Sequence, residues 1–434
     1  MFKKILGTLG TRIINAALAF LAAILNTQYL GAENVGTIYL IILAVTIIQL
    51  FNNFVGGGAL IYLTPRTPIY KLFVPAYAWT IGVTFISTFF LHLLRHISQN
   101  LNFIPDGSLY PILFLALIMS LASVNYMLLL GKEKVKTYNI INLLQVITLF
   151  LVLLMFLFVF RIRTVMAYYW AILGSFSLAF LLSLFALLPD LKPVAMTGMK
   201  KLLGEIFRYG TYVQFANIFQ QLNYRLSLKF VDNFSGRAAV GVLSIGLTLA
   251  EGVWLISRSI TMVQFSRLSN EMNFQYSVRL TLTFSKITLL VTTLLMLILL
   301  FIPTPAYIFV FGAQFRDLRM VVASLSIGIV TLSVSMMLST FFSAINKPYH
   351  NTISSAIGLV FTIGMGLYLI PRWGLIGAGV AATCSYTCAT LYQFVVFTRM
   401  TKLTSRDFLL SRSEIKLLFT ELKKLSIKTP PSQD

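Results

Sequence analysis

The chain of 434 residues is 58% hydrophobic and 11% charged, with a mean hydropathy of +0.85. Soluble domains carry about a quarter charged residues, so this composition excludes an ordinary soluble globular protein. The formal net charge is +21, from 34 Lys and Arg against 13 Asp and Glu. Because the basic residues lie in short segments between apolar stretches and form no soluble basic domain, we expect no nucleic-acid partner.

The chain divides into about twelve apolar stretches, each close to the roughly 20 residues that a helix needs to cross a bilayer. Charge or turn clusters separate the stretches, for example at 64–66, 131–134 and 346–348. The predicted fold is therefore an all-α polytopic membrane protein. The predicted spans are 8–30, 36–63, 69–93, 109–131, 137–160, 164–188, 206–231, 237–263, 280–302, 318–345, 349–371 and 374–398.

The placement of lysine and arginine predicts how these spans are oriented. The N-terminus, alternate connections and the C-terminal segment carry most of the basic residues, so both termini are expected in the cytoplasm. The positive charge is then mainly an orientation signal. The opposite connections hold only Arg95, Arg161, Arg163, Arg237, Arg316, Arg319 and Arg372.

The first six spans and the last six resemble each other, which predicts two lobes. The glycine-spaced segment 30–39, at the end of span one, has a counterpart in 234–244, at the start of span eight. With an even number of spans in each half, the repeats share their orientation, and parallel repeats of this kind are typical of transporters. The predicted units are an N-terminal six-helix lobe (1–190), a cytoplasmic linker (191–205), a C-terminal six-helix lobe (206–398) and a basic tail (399–434).

The tail carries an apolar stripe opposite arginines and lysines, which predicts an amphipathic helix lying on the inner leaflet. A solvated charged tail is the alternative.

Span seven is the most unusual segment because polar residues recur along it at three- and four-residue steps. Residues at such steps share one helical face, and lipid would reject this face. It should therefore meet protein or a water-filled interior. The line comprises Gln214, Asn217, Gln221, Arg225, Leu228 and Asp232, with Lys229 beside it.

Spans one, two and eight carry similar small and polar faces, and we expect all four spans to line one central cavity. A charge at mid-bilayer costs about 2.5–3.5 kcal/mol, so ionisable residues within spans are candidates for function. The candidates outside span seven are Arg12 and Asn26 in span one, Gln49 and Asn53 in span two, and Glu251 and Arg258 in span eight.

The excess of cations on these faces predicts that the cavity binds an anion. In this interpretation arginine and lysine hold phosphate, asparagine and glutamine bind hydroxyl groups, and Glu251 and Asp232 are candidates for ion coupling. Each charge has a structural alternative. Glu251 and Arg258 could serve only as structural ion-pair partners, Arg225 and Lys229 could extend to the interface, and Arg12 could be an orientation signal.

No feature of the sequence predicts catalysis, a metal site or a cofactor. It contains no phosphate-cradling loop, metal-binding His-Glu helix or nucleophile motif. Cys384 and Cys388, four apart in the last span, are interpreted as small core residues. His92 and His96 are also four apart, but a metal site would need a third ligand.

Three short motifs carry a family resemblance. They are the turn with Leu30, Gly31, Val35, Gly36 and Tyr39, the segment 370–383, which reads IPRWGLIGAGVAAT, and the turn Ala344-Ile345-Asn346-Lys347. Together they resemble the polysaccharide and oligosaccharide-lipid flippases of the multidrug/oligosaccharidyl-lipid/polysaccharide exporter (MOP) superfamily. One departure is the segment 262–269, where relatives often carry a proline and this chain has none.

The resemblance implies a MATE-like fold and a flippase in the bacterial inner (cytoplasmic) membrane. Its expected substrate is a polyprenyl-diphosphate-linked oligosaccharide, such as a surface-polysaccharide or O-antigen repeat unit of lipopolysaccharide. Membrane lipids and glycan assembly enzymes are further expected partners. Two alternatives stay open: a cation-coupled multidrug antiporter of the same superfamily, and a membrane glycan polymerase or ligase. The enzyme is disfavoured because the loops predicted outside are short.

Overall fold

The computed structural model describes residues 2–97, 105, 107–268, 273–345 and 347–403. About 90% of the structure is helical. The helices are α1 (Phe2–Gly56), α2 (Gly58–Leu63), α3 (Ile69–Ile97), α4 (Leu109–Gly131), α5 (Val135–Leu154), α6 (Val165–Leu187), α7 (Met199–Ser235), α8 (Arg237–Leu268), α9 (Phe274–Phe301), α10 (Thr304–Phe311), α11 (Leu318–Ala344) and α12 (Tyr349–Thr401). A π-helical turn, Met155–Val159, extends α5, and 3₁₀ turns follow α6 (Leu188–Asp190) and α10 (Ala313–Phe315).

Two of these helices are too long to be single crossings. A straight helix of 55 residues, the length of α1, would extend about 80 Å, against a hydrocarbon core of about 30 Å. Glycines with non-helical backbone interrupt both: Gly31 in α1 (φ 80°, ψ 169°) and Gly374 in α12 (φ 54°, ψ −126°). Only glycine adopts such positive φ values routinely.

The chain of α12 folds back on itself at Gly374. Ser354 donates a hydrogen bond to the Ala389 carbonyl at 2.9 Å, and Ser385 donates one to the Gly358 carbonyl at 2.7 Å. The later residue of the first segment thus pairs with the earlier residue of the second, which defines an antiparallel helical hairpin. The structure therefore agrees with separate spans over 349–371 and 374–398.

Among the described residues, nine helical segments are long and apolar enough to cross a membrane. With two crossings in α1 and two in α12, and with the more polar α7 counted as well, the described helices match the twelve predicted spans. The fold-class prediction is confirmed: this is a MATE-like, polytopic all-α membrane protein.

Some boundaries differ from the prediction. Helix α7 begins at Met199, so residues 199–205 of the predicted linker are helical. Leu202 of this extension is buried, and together with Ile206 it belongs to a cluster of buried side chains that includes residues of α2, α3 and α4. Helix α9 begins at Phe274, several residues before the predicted 280. The predicted amphipathic tail helix falls largely on residues 404–434, outside the described part of the chain.

Buried hydrogen bonds join the helices within each half. The Asn52 amide donates to Thr84 at 3.0 Å and to Ser120 at 2.9 Å, which connects α1, α3 and α4. The Asn223 carbonyl oxygen of α7 accepts from Thr362 and Ser385 of α12. Such bonds matter in a membrane, where apolar surface gives little drive for helices to associate.

A pair of glycine turns brings α1 and α8 into backbone contact. Gly31 and Gly236 have nearly the same conformation (φ 80°, ψ 169° and φ 82°, ψ 172°), and Gly36 and Gly241 follow each by five residues. A Cβ placed on Gly36 would lie 2.8 Å from the Arg237 carbonyl carbon. Conversely, a Cβ on Gly241 would lie 3.0 Å from the Ala32 carbonyl carbon. Each glycine therefore meets the carbonyl group of the residue that follows the other turn's positive-φ glycine.

Candidate functional site

A polar cavity of about 550 Å³ lies among α7, α8 and α11. Arg258 of α8 lies 17 residues after Gly241, which is about 25 Å along the helix axis. The cavity and the glycine contact are therefore near opposite ends of the membrane crossing. The cavity is lined by Gln220, Gln221, Arg225, Arg258, Thr261, Leu332, Ser335, Met336, Ser339 and Thr340.

Two guanidinium groups line this cavity. Arg225 is half-buried on α7, and Arg258 is exposed to the cavity on α8. The described lining residues include these two cations and no carboxylate. Each guanidinium offers five N–H donors in a planar fork that suits phosphate or carboxylate oxygens. This arrangement can hold an anion.

The sequence of α7 explains why it can form one wall. Its polar stripe lowers its hydropathy, and it is not among the nine helices that qualify as spans by composition. Gln214 on this stripe is 2% exposed and donates a hydrogen bond to the Leu50 carbonyl of α1 at 2.8 Å. Gln221 and Arg225, further along, reach the cavity. The stripe therefore meets protein at one end and the cavity at the other.

The α11 wall is organised by a side chain behind it. Gln393 of α12 is 1% exposed. Its Oε1 accepts from the Ser335 hydroxyl at 2.6 Å, and its Nε2 donates to Ser339 Oγ at 2.8 Å and to Asn351 Oδ1 at 3.2 Å. The Asn351 amide in turn donates to the Ser339 carbonyl oxygen at 3.0 Å.

Lys229 and Asp232, predicted for substrate binding and for ion coupling, contact each other. The ammonium of Lys229 is 3.0 Å from the carboxylate of Asp232, and the two side chains are 5% and 18% exposed. The charge of Lys229 is thus balanced locally. Of the three cations predicted on α7 and α8, the structure brings Arg225 and Arg258 together in the cavity and pairs Lys229 separately.

The other amide side chains predicted to face the cavity differ in their exposure and in their hydrogen bonds. Asn217 is exposed and donates to Gln214 Oε1 at 3.4 Å. Asn26 is 7% exposed, and among the described residues its Oδ1 has no hydrogen-bond partner. Gln49 and Asn53 are half-buried on α1.

Two candidates lie outside the part of the chain whose side chains are described. Arg12 is on α1 and Glu251 is on α8, and the backbone of both is helical. Their predicted roles therefore stay predictions.

Sequence reasoning missed the α11 wall. Ser335, Ser339 and Thr340 carry no charge, whereas ionisable and amide side chains are the ones that mark a candidate site within a span. Thr261 could have been predicted, because it follows Arg258 by three residues on α8 and so shares its face.

The described side chains include no cluster of three or more His, Cys, Asp or Glu residues that could hold a metal ion. Cys384 and Cys388 are free thiols of intermediate exposure.

Comparisons with known proteins identify the fold. No family model matches this sequence. No curated protein sequence matches it either. The lipid II flippase MurJ in an inward closed conformation superposes with a TM-score of 0.75, at 16% identity, over 99% of this chain and 94% of the flippase.

Other transporters have a similar architecture. An inward-facing multidrug resistance MATE family transporter of the MOP superfamily has a TM-score of 0.67 at 15% identity, over 90% of this chain and 96% of its own. A MOP superfamily transporter from Pyrococcus furiosus has a TM-score of 0.63 at 16% identity, over 93% of this chain and 97% of the transporter. It is described as having a binding pocket of reversed polarity that suggests a different function. At these identities the likeness concerns the fold. The chain is thus a multi-pass membrane protein whose fold is similar to those of a lipid II flippase and MATE transporters.

Proposed function

We propose that this protein moves a polyprenyl-diphosphate-linked oligosaccharide from the inner to the outer leaflet of the bacterial cytoplasmic membrane. The observation that carries the proposal is the pair Arg225 and Arg258, which face one polar cavity free of carboxylates among its described lining residues. A diphosphate supplies the anion that such a pair binds through charge-assisted hydrogen bonds. Hydroxyl and amide groups on the same walls suit a sugar.

In the proposed mechanism the two predicted lobes alternate in access. With both termini in the cytoplasm, the Gly36–Gly241 contact would close the outer end, and the cavity would lie towards the cytoplasm, where the lipid-linked glycan is made. Rocking of the lobes would break the glycine contact and expose the cavity outside. The lipid tail would stay in the bilayer through a gap between the lobes.

The membrane potential favours this direction of transport. Outward movement of two negative charges across about 100 mV, negative inside, releases roughly 4–5 kcal/mol. Asp232 is engaged with Lys229, and we therefore expect any ion coupling to depend more on Glu251 than on Asp232. The protein does not need to change a covalent bond in this proposal.

A multidrug antiporter is the second candidate, because MATE transporters share the fold. It is less well supported, since a cationic drug would meet two arginines in this cavity.

Gene deletion separates these functions from each other and from an enzyme. For the proposed flippase, deletion should leave complete lipid-linked oligosaccharide confined to the inner leaflet, out of reach of glycan-modifying probes added outside. A polymerase or ligase would instead leave shorter or unjoined glycans already exposed. Normal surface glycan together with raised sensitivity to cationic dyes would refute the flippase and favour the antiporter.

A further inference from the structure

The hydrogen bonds behind the α11 wall fix which of its serines can donate and which can accept. The Ser339 carbonyl oxygen is a backbone acceptor, so Asn351 must present its NH₂ group there, 3.0 Å away. The Oδ1 of Asn351 then faces Gln393, at 3.2 Å, and requires the NH₂ group of Gln393. The orientation of both amides thus follows from one carbonyl that can only accept.

The two cavity serines receive opposite roles from this relay. Because Gln393 turns its Oε1 towards Ser335, the Ser335 hydroxyl proton is used in that bond, and only the lone pairs of its oxygen are left for a ligand. Ser339 accepts from the Nε2 of Gln393, so its own proton can be donated to a ligand. The wall therefore presents an acceptor and, one helical turn away, a donor.

We propose that Ser335 and Ser339 form a subsite for the first sugar of the glycan, beside the two arginines, and that Gln393 positions them. This proposal rests on the proposed function. The arginines supply only donors and suit phosphate oxygens, whereas a sugar also needs an acceptor for its O–H or N–H groups. An adjacent donor and acceptor match a vicinal pair of hydroxyls or an acetamido group. Gln393 does not line the cavity and is a positioning residue.

The chain supplies a matched control on the same helix. Ser343 accepts a hydrogen bond from Asn351 at 3.0 Å, as part of the same network, but is not a lining residue of the cavity. Ser343→Ala therefore makes the same chemical change as Ser335→Ala and Ser339→Ala without removing a group that lines the cavity.

The test is equilibrium binding to the purified full chain in nanodiscs with two probes. One probe is a polyprenyl diphosphate without sugar, and the other is the same lipid with one N-acetylhexosamine on its diphosphate. Ser335→Ala, Ser339→Ala and Gln393→Leu should each weaken binding of the sugar-bearing probe by about tenfold, the effect of one or two hydrogen bonds. They should change binding of the bare probe by less than about twofold, and Ser343→Ala should change neither.

Equal loss for both probes would overturn the subsite and give Gln393 a structural role only. Unchanged binding of both probes by the two serine variants would overturn the subsite too. The serine variants test the proposal even if Gln393→Leu is misfolded, and the melting temperature of Gln393→Leu should therefore be measured alongside. Failure of the proposed function has a different signature: Arg225→Gln and Arg258→Gln would leave binding of the bare polyprenyl diphosphate unchanged.

Discussion

The glycine contact between α1 and α8 leads to a sharp prediction about Gly36→Ala. The new Cβ would lie 2.8 Å from the Arg237 carbonyl carbon and 3.1 Å from the Gly241 nitrogen, with the carbonyl oxygen closer still. The nearest atoms are all backbone, which cannot rotate away. Ordinary carbon contacts need about 3.5–4.0 Å, so the two helices must separate by roughly 1 Å or more.

This separation should favour the state in which the contact is broken. Overpacking typically costs about 1–3 kcal/mol, which corresponds to a shift of roughly 5- to 150-fold in a two-state equilibrium. The cost falls on the closed state, because the substituted helices have room when the contact opens. Gly241→Ala should act in the same way, since its Cβ would meet the Ala32 carbonyl group.

Thiol labelling can measure the shift. Ser244 of α8 is 1% exposed and lies near Gly241, so Ser244→Cys, in a chain without its two native cysteines, should be protected from a membrane-impermeant maleimide added outside. Gly36→Ala should raise its labelling rate by at least about fivefold. Gly82→Ala is the control, because a Cβ on Gly82 would meet nothing within 4 Å. Equal labelling rates in the Gly36 and Gly82 variants, with normal transport, would refute the view that this contact closes the outer end.

Three further predictions concern charge. Arg225→Ala and Arg258→Ala should each abolish glycan export, measured by surface staining, while immunoblots show a normal protein level. Lysine at either position should restore export in part. Full export in both alanine variants would show that these residues do not belong to the site. Lys229→Ala should lower abundance, because breaking a largely buried ion pair costs about 3–5 kcal/mol, and Lys229→Met with Asp232→Leu should restore it. An unstable double variant would contradict a purely structural ion pair. Reporter fusions at the C-terminus should give cytoplasmic signals, and an external C-terminus would overturn the even span count. The same is expected of fusions at Lys134 and Lys200, and the opposite of fusions at Gly31 and Arg163.

The fold could be predicted because each membrane crossing needs an apolar stretch of about 20 residues, which is visible in the sequence. The bounds of α4, Leu109–Gly131, are those predicted from hydropathy, and the reversal at Gly374 was visible as a break between two apolar stretches. In α7 the average hydropathy misleads, and the periodic polar stripe is the better indicator of a span. The early start at Met199 places Leu202 in a buried cluster with residues of α2, α3 and α4, which no local pattern records.

The site was predictable only where charge marks it. Arg225 and Arg258 stood out because an arginine inside a span needs an explanation. Ser335 and Ser339 did not, because a serine in a membrane helix commonly bonds to a carbonyl one turn earlier, as Ser333 does with Ile329. What distinguishes the two cavity serines is Gln393, more than fifty residues away in sequence. The Lys229–Asp232 pair was visible as an i, i+3 spacing, but that spacing does not reveal whether the two charges serve a ligand or each other.

The two basic residues of α7 predicted for substrate binding lie in different surroundings. Arg225 and Lys229 are one turn apart on the same helix, and the ammonium of Lys229 is 3.0 Å from the carboxylate of Asp232. The pair therefore adds little net charge, while Arg225 joins Arg258 in a cavity whose described lining has no acid. A MATE-like fold can enclose a site of either polarity, so the fold cannot decide between an anionic and a cationic substrate. In this chain the described lining, with two arginines and no carboxylate, supports the proposed anionic substrate.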